Sequence, residues 1–478
     1  MIPEITDHLE IALRAYVEPQ SALKRRKGPP RPTTPASDWV VVFDTETTVD
    51  AGQSLRIGTY QVREAHELLF GGIFYAENGV TPGELATLQR YAAERELALL
   101  TRDEFIDQIF FGIGYDLRAT IVGFNLPFDI SRIAMRHSSA RGDMRGGFSF
   151  TLTNDKRRPQ LRVKHLNQRT SLISFAAPLQ QRRARSERKR GDAPVRTRGH
   201  FVDVKTLAAA LLSRSFSLGS LSNFLQVEHQ KEESEEHGGE LTKTYLDYAV
   251  RDTQTTWECY DHLLRRYQQL GLVATPVTAI FSEASLGKAY LKAMGIKPTE
   301  SMPADLIGKI MGTYFGGRSE VRIRREVRQV VLCDFLSMYP TVCTLQGLWR
   351  FVIGKGMVSR DATAEVTTFL ETVTLDDLLR PDIWPRLGAI VRIAPTADIL
   401  PVRARYSKGD PATIGLNYLS ADRGLWFTLA DCVAAKLLGR RSPQVLEALI
   451  FEPGPPQEGL KPVAIGRQSC QRGRSAEG

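Results

Sequence analysis

Asp44 and Glu46 stand two apart in FDTETT, directly after the apolar run WVVVF. On an extended strand, residues two apart point to one face, so both carboxylates can address the same cation pair. Most such pairs are solvated strand ends. Here the adjoining apolar run places the acids at the margin of a core, where acids pair or bind metal. Asp129 follows a second apolar run in GFNLPFDISRIA, four residues after Asn125. Either Asn125 shapes a turn and Asp129 merely opens a helix, or the carboxylate joins the first two. Asp252 lies in YLDYAVRDTQTTW, with Tyr248 one helical turn earlier. Taken alone, Asp252 reads as a surface acid paired with Arg251 or Lys243. Four carboxylates without histidine or thiolate suit magnesium or manganese better than zinc.

These acids need strands and helices to position them. WVVVF and RATIVGFN are continuous apolar runs of strand length, as in strands buried on both faces of an α/β sheet. FSFTL, LRVKHL, TSLISF and HFVDV, between residues 148 and 204, are short and β-rich. From Leu241 to about Tyr267 the pattern turns helical, with Thr242 as N-cap and Tyr245, Tyr248 and Asp252 on one face. ASLGKAYLKAMG and PADLIGKIMGTYF carry helical spacing, EVRIRREVRQVVL alternates like a strand, and LWFTLADCVAAKLLG reads as a helix closed by Gly439.

Composition is globular, at 42% hydrophobic and 24% charged. No apolar run approaches the roughly 20 residues that span a bilayer, and no leader pattern opens the chain, so a cytoplasmic protein without a membrane partner is expected. The five cysteines (Cys259, Cys333, Cys343, Cys432, Cys470) are scattered and signal neither disulfides nor zinc. The net charge of +9 matches the local excesses of residues 181–198 and 318–328, six and three. Such runs are either solvated loops or the footprint of phosphate-backbone contact.

In order along the chain, D-x-E after a strand, N-x-x-F-D after a strand and Y-x-x-x-D on a helix resemble the three exonuclease motifs of the DEDD superfamily. The variety is the one with tyrosine in the third motif, found in the proofreading domains of family B DNA polymerases. CDFLSMYPTV (333–342) resembles the first polymerase motif of that family, with Met338 in a leucine position, and TYFGG (313–317) resembles its Tyr-x-Gly-Gly segment.

That resemblance implies an α/β chain: a flexible basic, Pro-rich segment at 1–37, an RNase H-like 3′→5′ exonuclease domain at 38–268, a helical connector at 269–317, a partial α+β palm at 318–452 and an irregular tail at 453–478. Phosphodiester hydrolysis requires a deprotonated water in line with the leaving oxygen, and two hard cations about 3.5–4 Å apart supply both the hydroxide and leaving-group stabilisation. By resemblance, Asp44, Glu46 and Asp252 hold the first Mg²⁺ (or Mn²⁺), Asp44 bridges to the second, and Asp129 holds the second through water. Tyr248 orients the attacking water, and Asn125 and Phe128 seat the 3′-terminal nucleotide. Asp203 reads as structural. The β-rich interval with its basic loop corresponds to a hairpin that guides the primer strand.

In the palm, Asp334 ligates magnesium, Tyr339 is the gate against ribonucleotides, and Tyr314, Gly316, Gly317 and Arg318 contact the template strand. The N-S-x-Y-G and D-T-D motifs that complete a polymerase do not follow residue 342, so a truncated enzyme is expected. The expected activity is Mg²⁺-dependent removal of nucleotides from DNA 3′ ends, single-stranded or in a primer-template. The alternatives are a polymerase completed by a second polypeptide and an inactive DNA-binding remnant.

Overall fold

The computed structural model describes residues 10–17, 35–176, 199–231, 239–297, 302–317, 323, 326–333, 335, 338–406, 409 and 411–462. The chain is mixed α/β and divides into two compact units, Gly28–Met294 with the C-terminal segment and Gly295–Leu460 with the N-terminal segment. Asp334, Arg318, the basic run 181–198 and residues 463–478 of the tail lie outside the described residues.

The first unit is built on a six-stranded mixed sheet. Its strands are β1 (Trp39–Thr47), β2 (Leu55–Glu64), β3 (Glu67–Tyr75), β4 (Ala98–Thr101), β5 (Thr120–Gly123) and a strand at His200–Asp203, in the order last strand, β5, β1, β2, β3, β4. β1 runs parallel to β5, and β5 to the last strand, whereas β1, β2 and β3 are successively antiparallel. β1 is thus the central strand, and alternation sends its side chains to two cores. Val41 and Phe43 join Tyr60, Phe74, Phe105 and Ile121 on one face. Val40 and Val42 meet Leu207, Leu221, Trp257 and Leu263 on the other.

Helices cover both faces. α1 (Pro82–Glu94) opens on a capping box in which Thr81 and Glu84 satisfy each other's backbone N–H. α2 (Phe105–Asp116) is wound as a π-helix that turns five buried residues into the first core. α3 (Leu126–Arg132) follows β5 directly, and α4 (Val204–Leu212) and α5 (Leu218–Leu225) follow the edge strand. α6 (Lys243–Gln268) starts where the sequence places it, with Thr242 Oγ1 accepting from the Tyr245 N–H at 3.1 Å. The β-rich interval forms a separate antiparallel sheet of Arg136–Ser139, Phe148–Thr151, Leu161–Asn167 and Thr170–Phe175. Phe150, Leu161 and Phe175 tie it to the first core.

Several expectations differ from what is observed. Leu272, Ile280 and, on α7 (Glu283–Ala293), Ala289 of the expected connector bury into the second core of the first unit. Glu10 and Ile11, in the expected flexible lead-in, pair with Arg405 and Ala404 in the second unit. Among the described residues of EVRIRREVRQVVL there is no strand, since Val327, Val330 and Leu332 are exposed and find no sheet to join. The helix expected from Leu425 begins only at Leu429, after a strand and a Thr428 cap, and Arg440, not glycine, takes the left-handed position beyond Gly439. The expected tail begins at the last residue of a strand, Gln444–Pro453. The second unit has one four-stranded and one three-stranded antiparallel sheet around Val391, Ile393, Leu400, Val402 and Phe427.

Gly58 of β2 lies opposite Thr45 in the register. A Cβ there would fall 2.1 Å from the Phe74 ring and 2.8 Å from the Asp44 carbonyl. Phe74 cannot retreat, being stacked on Phe105 at 3.9 Å. Gly58→Ala is therefore expected to cost about 1–3 kcal/mol in urea unfolding, the range for an overpacked core.

Candidate functional site

The alternation that sorts the valines of β1 also sorts its polar end. Asp44 and Glu46 continue the Val40/Val42 face toward α6, and Thr45 faces the other way, toward α3. Buried Glu46 accepts a hydrogen bond from Tyr245 Oη at 2.8 Å. Asp252, 3% exposed two helical turns later on α6, completes a group in which carboxylate oxygens of Asp44, Glu46 and Asp252 lie within 4.8 Å of one another. These three are close enough to share one cation.

Asp129, 2% exposed, stands outside that group. Its Oδ1 accepts from Thr45 Oγ1 at 2.6 Å, which ties α3 to the strand that carries the other acids. Its Oδ2 is buried with no hydrogen-bond partner among the described residues. A buried carboxylate oxygen is costly in that state, and hard divalent cations are the ligands that all-oxygen sites of this kind accept.

Crowding shows in the proton affinities. Asp44 is held well above the ordinary carboxylate range, first by removal from water and then by the charges of Asp129, Glu46 and Asp252, with Lys231 opposing. Burial also pushes Asp129 up to about 8, offset in part by the Thr45 hydroxyl.

Lys231 is one residue that sequence reasoning missed. Its Nζ donates to Tyr248 Oη at 2.7 Å and forms an ion pair with Asp252 Oδ2. Burial works against its charge, but Asp252 and Tyr248 hold the ammonium above its usual range. Tyr248 itself is pushed up to about 12, chiefly by burial. Lys231 sits in the polar stretch HQKEES, which has no periodicity to mark it. The loop bearing it is pinned on α6 by Glu258, which accepts from the His229 N–H at 2.9 Å, and by Thr255 Oγ1 donating to the His229 carbonyl at 2.8 Å.

Asp203 behaves as a structural acid. Its Oδ1 accepts from the Asn125 N–H at 2.8 Å and the Leu126 N–H at 3.2 Å, and its Oδ2 from Thr206 Oγ1 at 2.5 Å. It thereby holds the turn in which Asn125 adopts φ 63° and ψ 41°, and from which α3 presents Asp129. The Asn125 side chain makes no capping hydrogen bond, and the half-buried Phe128 lies under the Arg132 guanidinium at 4.7 Å.

The other expected substrate contacts belong to the second unit. Tyr314 is exposed and carries Arg14 over its ring at 4.0 Å, and Tyr339 is exposed on the helix Met338–Leu345. Gly316 has φ +100°, and a Cβ there would lie 3.1 Å from both Arg403 Nη2 and Ile414 Cδ1; around Gly317 there is open space. Arg403 Nη2 also donates to the Phe315 carbonyl at 2.8 Å, so the TYFGG backbone is held close to that strand.

No protein-family model and no curated protein matches the chain. Among solved structures it aligns with phi29 DNA polymerase complexed with single-stranded DNA, at 11% identity and a TM-score of 0.34, over 87% of this chain. The likeness is distant. The chain spans 61% of the length of that polymerase. A superposition this loose assigns no activity, which leaves the geometry of the acids to carry the reading. Among the described residues no helix is long and apolar enough to cross a membrane.

Removing Lys231 leaves Asp252 buried with its charge exposed to three other acids. Lys231→Met is expected to lower stability in EDTA by up to about 3 kcal/mol, the low end for breaking a buried pair because Lys231 is partly exposed. Adding Asp252→Asn should restore most of the loss. Additive losses in the double variant would show that the pair is not coupled.

Proposed function

We propose that the first unit is an RNase H-like 3′→5′ exonuclease that removes nucleotides from DNA 3′ ends with Mg²⁺ or Mn²⁺. The observation that carries this is the convergence of Asp44, Glu46 and Asp252 within 4.8 Å, with Asp129 tethered across the end of the same strand. The motif order in the sequence supplies the reaction class.

In this reading Asp44, Glu46 and Asp252 hold one divalent ion, and Asp129, with Asp44, holds a second. Two such ions supply a hydroxide at neutral pH and stabilise the leaving 3′-oxygen. The residues of the chain do the positioning. Tyr245 fixes the orientation of the Glu46 carboxylate, Thr45 that of Asp129, and Tyr248 with Lys231 forms a donor pair beside Asp252 that orients the attacking water and the phosphate it approaches. Asn125 and Phe128 seat the terminal nucleotide, the aromatic ring offering a face for a base or sugar.

A 5′-labelled oligonucleotide should shorten from its 3′ end in Mg²⁺ and stay intact in EDTA. Asp44→Ala and Asp252→Ala should reduce cleavage to background. Intact substrate with well-folded wild-type protein in Mg²⁺ or Mn²⁺ would sink the reading.

A DNA-binding protein without nuclease activity is the second reading, and the Lys231–Asp252 ion pair favours it, since an internal cation can neutralise one carboxylate without metal. Thermal unfolding separates the two. A metal-binding site predicts that millimolar Mn²⁺ raises Tm for wild type and fails to do so for Asp44→Asn. Equal shifts, or none, would favour the silent protein. A template-directed polymerase remains a proposal resting on the resemblance of DFLSMYP, whose Asp334 lies outside the described residues.

A further inference from the structure

Arg132, the last residue of α3, is one helical turn beyond Asp129. Arg56, Arg95, Arg102 and Arg158 each form an ion pair with a carboxylate. Arg132 has no ion-pair partner among the described residues. Instead its Nη1 donates to two backbone carbonyls, Gly52 at 3.1 Å and Gln53 at 2.8 Å, and its Nε donates to Ser131 Oγ at 3.1 Å. Those carbonyls belong to a fixed turn, because Asp50 Oδ1 accepts from the Gly52 and Gln53 N–H groups at 2.8 and 3.0 Å. The guanidinium also lies over the Phe128 ring at 4.7 Å.

A guanidinium has five N–H donors in a rigid plane. Nε and Nη1 are engaged, which leaves the Nη2 donors without an acceptor among the described residues. The result is an oriented positive charge without a carboxylate partner among the described residues, on the helix that also carries Asp129. Carbonyl acceptors hold the group in place without neutralising its charge. It is suited to an anion that arrives from outside.

We propose that Arg132 binds a backbone phosphate of the single strand whose 3′ end enters the carboxylate site, with Phe128 as the apolar floor beneath it. The placement of the 3′ end rests on the exonuclease reading; the phosphate contact does not require cleavage. The group acts in binding, and the hydrolytic step proceeds through the carboxylates.

The test measures binding of a fluorescent single-stranded oligothymidylate to the whole protein by anisotropy in EDTA, across a salt series. Arg132→Gln is expected to weaken binding roughly tenfold or more. It should also make the salt dependence shallower by about 0.7, the slope for one phosphate contact on a single strand. Arg132→Lys, which keeps the charge, should retain the slope. With single methylphosphonates placed at successive positions from the 3′ end, one position should weaken wild type and leave Arg132→Gln unaffected. The proposal is overturned if wild type does not bind, if Arg132→Gln matches wild type, if Arg132→Lys loses the slope as Arg132→Gln does, or if every methylphosphonate penalises both proteins alike. Binding contrast without cleavage in Mg²⁺ would sink the nuclease reading alone. Cleavage with an indistinguishable Arg132→Gln would sink this one alone.

Discussion

Like charges crowded at the end of a buried strand are the constraint to which the rest of the first unit answers. Asp44, Glu46, Asp129 and Asp252 cannot all be ionised beside one another in a region depleted of water without a compensating positive charge. The fold meets the cost locally: Tyr245 and Thr45 donate hydrogen bonds, and Lys231 contributes an ammonium. Each of those partners comes from a different element, so the site can exist only after α3, α6 and the loop before α6 have docked on β1.

The central position of β1 explains why that docking is precise. Its valines and Phe43 are buried on both faces, so a register slip of one residue would exchange its two cores and reverse every acid at its end. Gly58 adds a second lock, because Phe74 occupies the space a side chain would need beside Asp44. Packing of apolar residues thus sets the direction of the carboxylates, and the carboxylates themselves add little or negative stability. Such a division is expected where a site is strained by its own chemistry.

Much of this was legible in the sequence where a periodic signal existed. WVVVF read as a doubly buried strand, the Thr242 cap marked the start of α6, and the spacing of Tyr245, Tyr248 and Asp252 gave their common face. What escaped were contacts between residues distant in sequence. Thr45 and Asp129 are 84 apart, and Tyr245 and Glu46 199 apart, and nothing local in either segment announces the pair. Lys231 and Arg132 escaped for a further reason: a cation on a polar stretch or at a helix end has an ordinary solvated role by default, and only its partners reveal otherwise. The alternating pattern of EVRIRREVRQVVL erred in the opposite direction, since alternation makes a strand only when a neighbouring strand is there to pair with it.

The two cations missed by sequence differ in a way that bears on how the site works. Lys231 is paired with Asp252, so its charge is spent inside the protein until something displaces it or shares its acid. Arg132 is clamped by carbonyls that leave its charge intact. The first lowers the cost of holding the acids together when no other cation is present; the second forms no ion pair with them among the described residues and, on the proposed reading, serves the strand. Asp44, Glu46 and Asp252 would hold an ion only by sharing Asp252 with Lys231, whereas Arg132 forms no ion pair with those acids among the described residues. On the proposed reading the two cations therefore answer to different groups, Lys231 to the carboxylates and Arg132 to the strand.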